Sequence, residues 1–403
     1  GKVVPLYDIV CDALQGCPDV NNVVVLRRTD SPIKKSHVSF DDLYQGNDYE
    51  PERMDSEDPL FILHTSGTTG KPKGIVHTCG GYMVGAHYTM KQVFDIRDDD
   101  IYWCTADPGW ITGHTYVVYG PLLEGATIVM YEGTPDYPDP GVWWRLVEQH
   151  KISILYTTPT AIRMFMKFGT TWPQQSRLDT IRLLGSVGEP LNPAAFEWYG
   201  KHIGGSHTHI VDTWWQTETG MHMITTLPPN VPKPGFVGLP LPGITVAVVD
   251  LKGETVPPNQ KGHLVVTTPW PSMLRAVHKD DAKYLNYWNK IPPYFYSGDY
   301  AIRDDDGFIQ ILGRTDDIII VAGHNIGTAE IENALVAHIS VAEAAVIGKP
   351  DDIRGNIIKA FVVVKVGVTR DEELKKKLKA HVKQLLAGHS YPREIVFIDK
   401  LPK

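Results

Sequence analysis

No stretch of the 403-residue chain is apolar over the length that a bilayer crossing needs, so no membrane-spanning helix is expected. Cysteine is scarce. Cys11, Cys17, Cys79 and Cys104 form no CxxC pair and no disulfide framework, which fits a reducing, cytoplasmic compartment. An excess of positive charge is also missing: the formal net charge of −8 argues against nucleic acid as a partner, because a backbone binder needs a basic face. The dense basic run "LKKKLK" at 374–379 reads as the solvated face of a helix. The histidine-rich "HIGGSHTH" at 202–209 lacks the cysteine or carboxylate partners of a zinc site. No leader opens the sequence, which starts at Gly1 rather than Met, as expected of a fragment. Internal repeats and low-complexity tracts are absent.

What is present is the composition of a globular protein, 42% hydrophobic and 21% charged, over a length that predicts at least two domains. From residue 60 to about 250, short apolar runs ("LFILH", "IYWCTA", "ATIVMY", "ISILYTT", "IRLLGS", "HIVDTW") alternate with helical stretches at 80–94, 141–150, 160–168 and 193–202. That alternation predicts a layered α/β domain. From 235 to 315 no helix is expected, and "ITVAVVD", "GHLVVTT" and "FIQILGR" read as a small antiparallel β-subdomain. Beyond "GRTDD" the pattern becomes a compact α+β unit, with helices near 328–338 and 370–387. A capping box, Thr369 to Glu372, is expected at the last helix, with Leu374, Leu378, Val382 and Leu385 on its packed face. The expected organisation is a large domain over 1–315 and a small one over 316–403, incomplete at its end.

The stretch "TSGTTGKPKG" at 65–74 surrounds two lysines with glycines and the hydroxyls of Thr65, Ser66, Thr68 and Thr69. It is not a P-loop. Lys71 is followed by Pro72, no glycine lies five positions before Gly70, and Pro72 with Gly74 discourages an immediate helix. Amides, hydroxyls and ammonium groups in one turn suit a polyphosphate.

The stretch resembles the phosphate loop of the adenylate-forming enzymes: acyl-CoA synthetases, luciferases and peptide-synthetase adenylation domains. Further segments match that superfamily in order: "YTTPT" (156–160), "GSVGEPL" (185–191), "DTWWQTETG" (212–220), "YSGDYAIRDDDGFIQILGRTDD" (296–317) and "AGHNIGTAEIE" (322–332). "CTADPGWITGH" (104–114) narrows the likeness to the AMP-forming acetyl-CoA synthetases. The resemblance implies attack of acetate on the α-phosphate of ATP, giving acetyl-AMP and pyrophosphate, and then displacement of AMP by coenzyme A. The implied partners are these small molecules, with Mg²⁺ as cofactor and neither nucleic acid nor membrane; oligomeric state is left open.

The resemblance also implies roles for residues. Lys71, Thr217 and Glu218 would act at the phosphates, Glu218 holding Mg²⁺. The nucleotide would meet Thr65, Ser66, Gly67, Thr68, Thr69, Gly70, Gly188, Glu189, Pro190 and the run Asp212, Thr213, Trp214, Trp215, Gln216, Thr217. Asp212 would lie near the adenine, and Asp299 with Arg314, fifteen residues later, at the ribose. Ile111, Thr112, Val187 and Trp215 would wall a short acyl pocket, Trp215 excluding longer chains. Thr112, Ala322, Gly323 and Lys383 would contact coenzyme A. Asp316 would be the hinge between domains, and Val336, His338 and Val341 match a second metal position of some members.

Several residues depart from the family pattern. Asn325 stands where the family has an arginine that contacts phosphate, and Lys383 replaces an arginine, keeping charge without the guanidinium fork. Ile111 is bulkier than the usual valine. The chain stops at "LPK", just before the "TRSGK" motif whose lysine drives adenylation in the family. Two alternatives therefore stay open beside an acetate ligase: a propionate or other short-chain ligase, and a nucleotide-binding homologue without full catalysis.

Overall fold

The computed structural model describes residues 5–30, 32–43, 49–65, 72–205, 208–315, 318–321, 324–351, 355–365, 367–386 and 391–401. The chain forms two compact units, residues 1–54 and 55–403. In the first, a helix over Leu6–Ala13 accompanies a short parallel ladder of Val24–Val25 with Val38–Ser39, and Tyr7 Oη meets His37 Nδ1 at 2.7 Å.

The second unit begins with an antiparallel pair, β1 (Pro59–Thr65) and β2 (Lys73–Thr78), in which Thr65 faces Lys73. The glycine-rich stretch thus joins two strands, and the following helix α1 (Cys79–Phe94) starts only after β2. This differs from the strand-to-helix turn of a P-loop, as Pro72 predicts.

A five-stranded parallel sheet follows. Its strands are β3 (Ile101–Cys104), β4 (Thr127–Ile128), β5 (Ile154–Thr157), β6 (Leu183–Val187) and β7 (His209–Thr213), in the order β4-β3-β5-β6-β7. Only two residues of "ATIVMY" join it, placing β4 at the edge. Alternate side chains of these strands face two different cores. Tyr102, Cys104, Ile154, Tyr156, Leu183 and Val211 pack on one side, and Trp103, Leu155, Leu184 and Ile210 on the other, with Trp143, Trp144 and Phe165. A strand covered on both faces reads as continuously apolar, which is why these runs were legible.

The helices between strands are α2 (Val142–His150), α3 (Pro159–Phe168) and α4 (Pro193–Tyr199). Both α3 and α4 begin with proline, where a missing amide hydrogen costs nothing. Thr158 and Asn192 cap them by accepting from the amides of Ala161 and Ala195.

Next comes an antiparallel sheet of β8 (Val246–Val249), β9 (Lys261–Val266), β11 (Phe295–Arg303) and β12 (Ile309–Arg314), while β10 (Ala276–Val277) returns to pair with β2. The helix-free reading of 235–315 is corrected here. Helix α5 (Asp281–Asn289) lies between β10 and β11, with Asp280 accepting from the Lys283 amide as its cap. No residue of α5 is fully buried; Tyr284, Tyr287 and Trp288 recur at helical spacing and pack on the core, but this short stripe spans little more than one turn among polar residues.

The remaining elements are the hairpin β13 (Ile318–Val321) and β14 (His324–Gly327), helix α6 (Thr328–Val336), the sheet β15 (Val341–Asp351), β16 (Gly355–Val364) and β17 (Glu394–Phe397), and helix α7 (Glu372–Leu385). They share a core of Ile331, Leu335, Val346, Val362, Leu378 and Val382. The expected capping box at α7 is also corrected: Asp371 caps the helix, accepting from the Leu374 amide at 2.8 Å. Aspartate two residues beyond Thr369 is the stronger competitor for the free amides. Leu374, Leu378 and Val382 are buried as expected, but Leu385, in the last turn, is 54% exposed. Among the described residues no helix is long and apolar enough to cross a membrane.

Candidate functional site

The segments singled out by sequence emerge at the carboxyl edge of the parallel sheet. Residues 105–114 follow β3, Thr158 to Thr160 follow β5, Gly188-Glu189-Pro190 follows β6, and Trp214 to Thr217 follow β7. Open α/β sheets bind ligands outside this edge.

Asp299 is the centre of one cluster. Its Cα faces that of Arg314 across β11 and β12, so the fifteen-residue spacing is an antiparallel pairing. The carboxylate is 5% exposed. Its Oδ2 accepts from Trp214 Nε1 at 3.0 Å and from Gln216 Nε2 at 2.7 Å, while Arg314 Nη1 stands 3.5 Å from Oδ1. Gly298 before it has φ +77, and an added Cβ would lie 2.8 Å from the Arg314 guanidinium, so the turn needs glycine. Burial pushes the Asp299 carboxyl up to about 6, against the opposing pull of Arg314, Trp214 and Gln216.

Glu218 is the centre of the second cluster, and two of its partners were not anticipated. Lys73 Nζ lies 2.8 Å from Glu218 Oε1, and the Tyr287 hydroxyl donates to the same oxygen at 2.5 Å while accepting from Lys73 at 2.6 Å. Lys71, expected at the phosphates, lies outside the described residues; the lysine seen at the acid is Lys73, the second of "GKPKG". Lys73 begins strand β2, and its pairing with β1 sets its place. Tyr287 comes from α5, the unexpected helix. Burial alone would raise the Glu218 carboxyl, but the charge and hydrogen bond of Lys73, with the Tyr287 hydroxyl, hold it below its ordinary value. The same burial, together with the Glu218 charge, raises Tyr287 well above the ordinary phenol range.

Both side-chain partners of Glu218 use Oε1, which leaves Oε2 without a side-chain donor among the described residues. A single buried carboxylate suits Mg²⁺, which takes one or two carboxylates and otherwise prefers phosphate oxygens and water. Among the described residues no group of three or more metal-ligating side chains offers a complete protein site. Thr217 next to it is fixed through its backbone: its carbonyl accepts from His77 Nε2 at 2.6 Å. His77 is buried, and its pKa is lowered to about 4 by that burial, so the ring is neutral at pH 7.

Asp212 closes β7 beside Ser186 on β6. It is 7% exposed, and burial pushes its carboxyl up to about 7 against Ser186 and the amides of Leu191 and Thr213. Thr213 Oγ1 donates to the Ser186 carbonyl at 2.8 Å. Glu189 is tied to the start of α3. Its Oε1 accepts from the amide and the hydroxyl of Thr160, and its Oε2 pairs with Arg163 at 2.6 Å. Gly188 has φ +98, which turns the chain out of β6 toward Pro190.

Trp215 is half-buried and stands edge-on to two rings, Tyr116 with centroids 5.0 Å apart and His222 at 5.5 Å. Those two stack on each other at 4.0 Å, and Tyr156 Oη ties His222 Nε2 at 2.8 Å to Thr213 Oγ1 at 2.7 Å. Val187 packs in the same cluster as Trp215. Ile111 is buried and Thr112 half-buried in the helical turn after β3, which leads to Tyr116. Tyr116 and His222, which back Trp215, carried no distinguishing signal in sequence.

Other expected residues lie elsewhere. Thr65 ends β1 with its hydroxyl buried and without a hydrogen-bond partner among the described residues. Ser66, Gly67, Thr68, Thr69, Gly70, Lys71, Asp316, Ala322 and Gly323 lie outside the described residues. Asn325 pairs with Ile320 in the β13–β14 ladder. Lys383 is exposed on α7 and places its ammonium 4.1 Å from the centre of the Tyr391 ring. Val336 ends α6 and Val341 begins β15. The turn between them spends the His338 carbonyl on the Val341 amide at 2.9 Å and His338 Nδ1 on the Ser340 amide at 3.2 Å.

The family model for the AMP-binding enzymes matches residues 6–275, and the model for the AMP-binding enzyme C-terminal domain matches residues 330–403. The acetyl-coenzyme A synthetase of Methanothrix thermoacetophila is 50% identical over 413 residues, covering 100% of this chain and 63% of that protein. The acetyl-coenzyme A synthetase of Pyrobaculum arsenaticum is 53% identical over 415 residues, covering 100% of this chain and 62% of its own length. The chain thus spans less than two thirds of the curated relatives it matches. Among solved structures, the anthranilate CoA ligase AuaEII in complex with anthranoyl-AMP aligns over 99% of this chain and 74% of that one, at 26% identity and a TM-score of 0.86.

Proposed function

The chain belongs to the AMP-binding enzymes, and on that premise we propose that it carries the nucleotide- and acyl-binding part of an AMP-forming acetate–CoA ligase. In this reading an acetate oxygen attacks the α-phosphorus of ATP and pyrophosphate leaves with its bridging oxygen. The thiol of coenzyme A then attacks the acetyl carbonyl, and AMP departs. The first half-reaction brings two anions together, so the protein must supply cations and donors.

The observation that carries the reading is the run Trp214 to Glu218. Within five residues it supplies two donors to the carboxylate of Asp299 and the buried acid paired with Lys73. Asp299 with Arg314 would hold the ribose, and Asp212 would sit near the adenine. Lys73, and Lys71 with its neighbours in "TSGTTGKPKG", would face the phosphates. Glu218, through Oε2, would hold Mg²⁺, which supplies positive charge to the phosphate oxygens when bound. Trp215, backed by Tyr116 and His222, would close the acyl pocket with Ile111, Thr112 and Val187, favouring acetate.

The small domain over 316–403 would turn about Asp316 and bring Ala322, Gly323 and Lys383 toward coenzyme A, with Thr112 on the opposite wall. The free thiols of Cys11, Cys17, Cys79 and Cys104 support a reducing, cytoplasmic setting. The test is calorimetry with ATP, AMP and a nonhydrolysable acetyl-adenylate analogue, joined to acetate-dependent ATP–pyrophosphate exchange. The analogue is expected to bind tightest, because it fills nucleotide and acyl sites together. Failure of all three to bind would end the proposal.

A further inference from the structure

The geometry points to Trp214 and Gln216 as positioning residues that fix the Asp299 carboxylate so that Oδ1 faces the two hydroxyls of a ribose. This rests on the reading of Asp299 as the ribose-binding acid. It gives the tryptophan and glutamine a role exerted through Asp299, in addition to any contact of their own with the nucleotide.

A carboxylate oxygen offers about two acceptor positions. Oδ2 has both filled, by Trp214 Nε1 at 3.0 Å and Gln216 Nε2 at 2.7 Å. On Oδ1 the described residues place Arg314 at 3.5 Å, which leaves room for hydroxyl donors. Each element of the lock is held in turn. Gln216 Nε2 also donates to the Ser297 carbonyl at 2.8 Å, and Arg314 Nη1 donates to that carbonyl at 3.0 Å. Ser297 Oγ accepts from the Asp299 amide at 3.1 Å and donates to the Leu264 carbonyl at 2.7 Å, joining the acid to β9. Trp214 is 7% exposed and packed in the large core, so its N–H has no freedom to turn away.

A packing role alone does not account for the Trp214 bond. Trp143, Trp144 and Trp288 in this protein bury Nε1 without any hydrogen-bond partner among the described residues. A buried indole here does not by itself recruit a carboxylate. The two donors also oppose the burial that pushes Asp299 up to about 6, keeping it an acceptor at neutral pH.

The test is calorimetry of the protein and of Trp214→Phe and Gln216→Met, each titrated with ATP and with 2′,3′-dideoxy-ATP. The unaltered protein is expected to bind ATP more tightly than the dideoxy nucleotide. Each variant should weaken ATP by about five- to tenfold, as one charge-assisted contact is loosened, and change dideoxy-ATP by less than about twofold. Binding of dideoxy-ATP also shows that the variant site is folded. Equal weakening of both nucleotides, or of neither, overturns the positioning role while leaving Asp299 at the ribose. Equal affinity of the unaltered protein for both nucleotides overturns the ribose reading itself, and the proposal with it.

Discussion

Replacing Lys73 by methionine removes the ammonium 2.8 Å from Glu218 and leaves a carboxylate whose side chain is 10% exposed. At an effective dielectric constant near 20 the direct attraction is roughly 6 kcal/mol. Much of that offsets the desolvation of both charges, so the observable loss is smaller. Removing one partner of a buried pair costs roughly 3–5 kcal/mol, and the remaining Tyr287 donor places Lys73→Met near 3. Glu218→Gln should cost less, about 1–2 kcal/mol, because the 22% exposed Lys73 side chain can turn toward water.

The double variant should then lose less than the sum of the two, with a coupling of about 1.5–3 kcal/mol. The pH dependence has a definite sign. In the parent protein Lys73 holds the Glu218 carboxyl below its ordinary value, so the stabilisation is present above about 4.5 and lost as pH falls. In Lys73→Met, burial acts without the ammonium and raises that carboxyl, so the variant loses stability as pH rises. The gap between parent and variant should widen from pH 5 to pH 8. Urea denaturation followed by tryptophan fluorescence, without nucleotide, measures all four proteins at both pH values. Additive losses within about 0.5 kcal/mol, or a gap that narrows with pH, would refute the argument.

Trp215→Gly should open the acyl pocket, each admitted methylene contributing about 0.8 kcal/mol of burial; adenylate formation from butyrate, in a protein that shows it from acetate, measures this, and an unchanged chain-length preference removes Trp215 from the wall. Adenosine affinity should fall as pH drops through about 6, the value to which burial raises Asp299, with that step reaching about tenfold by pH 5, while Asp299→Asn should bind weakly and lack the step at 6, keeping only whatever dependence Asp212 carries near 7. Calorimetry with adenosine, which carries no phosphate to titrate, reads that profile. Arg163→Met should release Glu189 and weaken AMP binding about threefold or more, with a stability loss of about 1–2 kcal/mol seen on thermal unfolding.

The parallel strands could be read from sequence because burial on both faces writes itself as unbroken apolar runs. The Asp299–Arg314 pairing was equally visible, since β11 and β12 form a tight antiparallel hairpin that turns sequence distance into a cross-strand contact. Helix α5 was hidden for the opposite reason: none of its residues is fully buried, and its aromatic Tyr284, Tyr287 and Trp288 only edge the core. Tyr287 was lost with it. Nothing in the local sequence says what Lys73 meets. That answer depends on β2 pairing with β1, a contact set by the strands rather than by the stretch between them. The two rings behind Trp215 come from separate segments, and nothing local marks Tyr116 or His222 as different from core aromatics.

Glu189 belongs to the loop expected at the nucleotide, yet its carboxylate is engaged at the start of α3, on the Thr160 amide and hydroxyl and on Arg163. One side chain therefore closes a helix end and helps set the shape of the loop proposed to bind the nucleotide. Such a position has no independent adjustment. A substitution that retunes the loop should also fray the helix, and a change at Thr160 or Arg163 should reach the proposed nucleotide site, although neither residue was expected to touch it. Variation at these three sites should consequently arise in concert, with single changes eliminated and compensated combinations retained. Directed evolution toward a new nucleotide would reach this corner of the pocket only by altering at least two of these residues together.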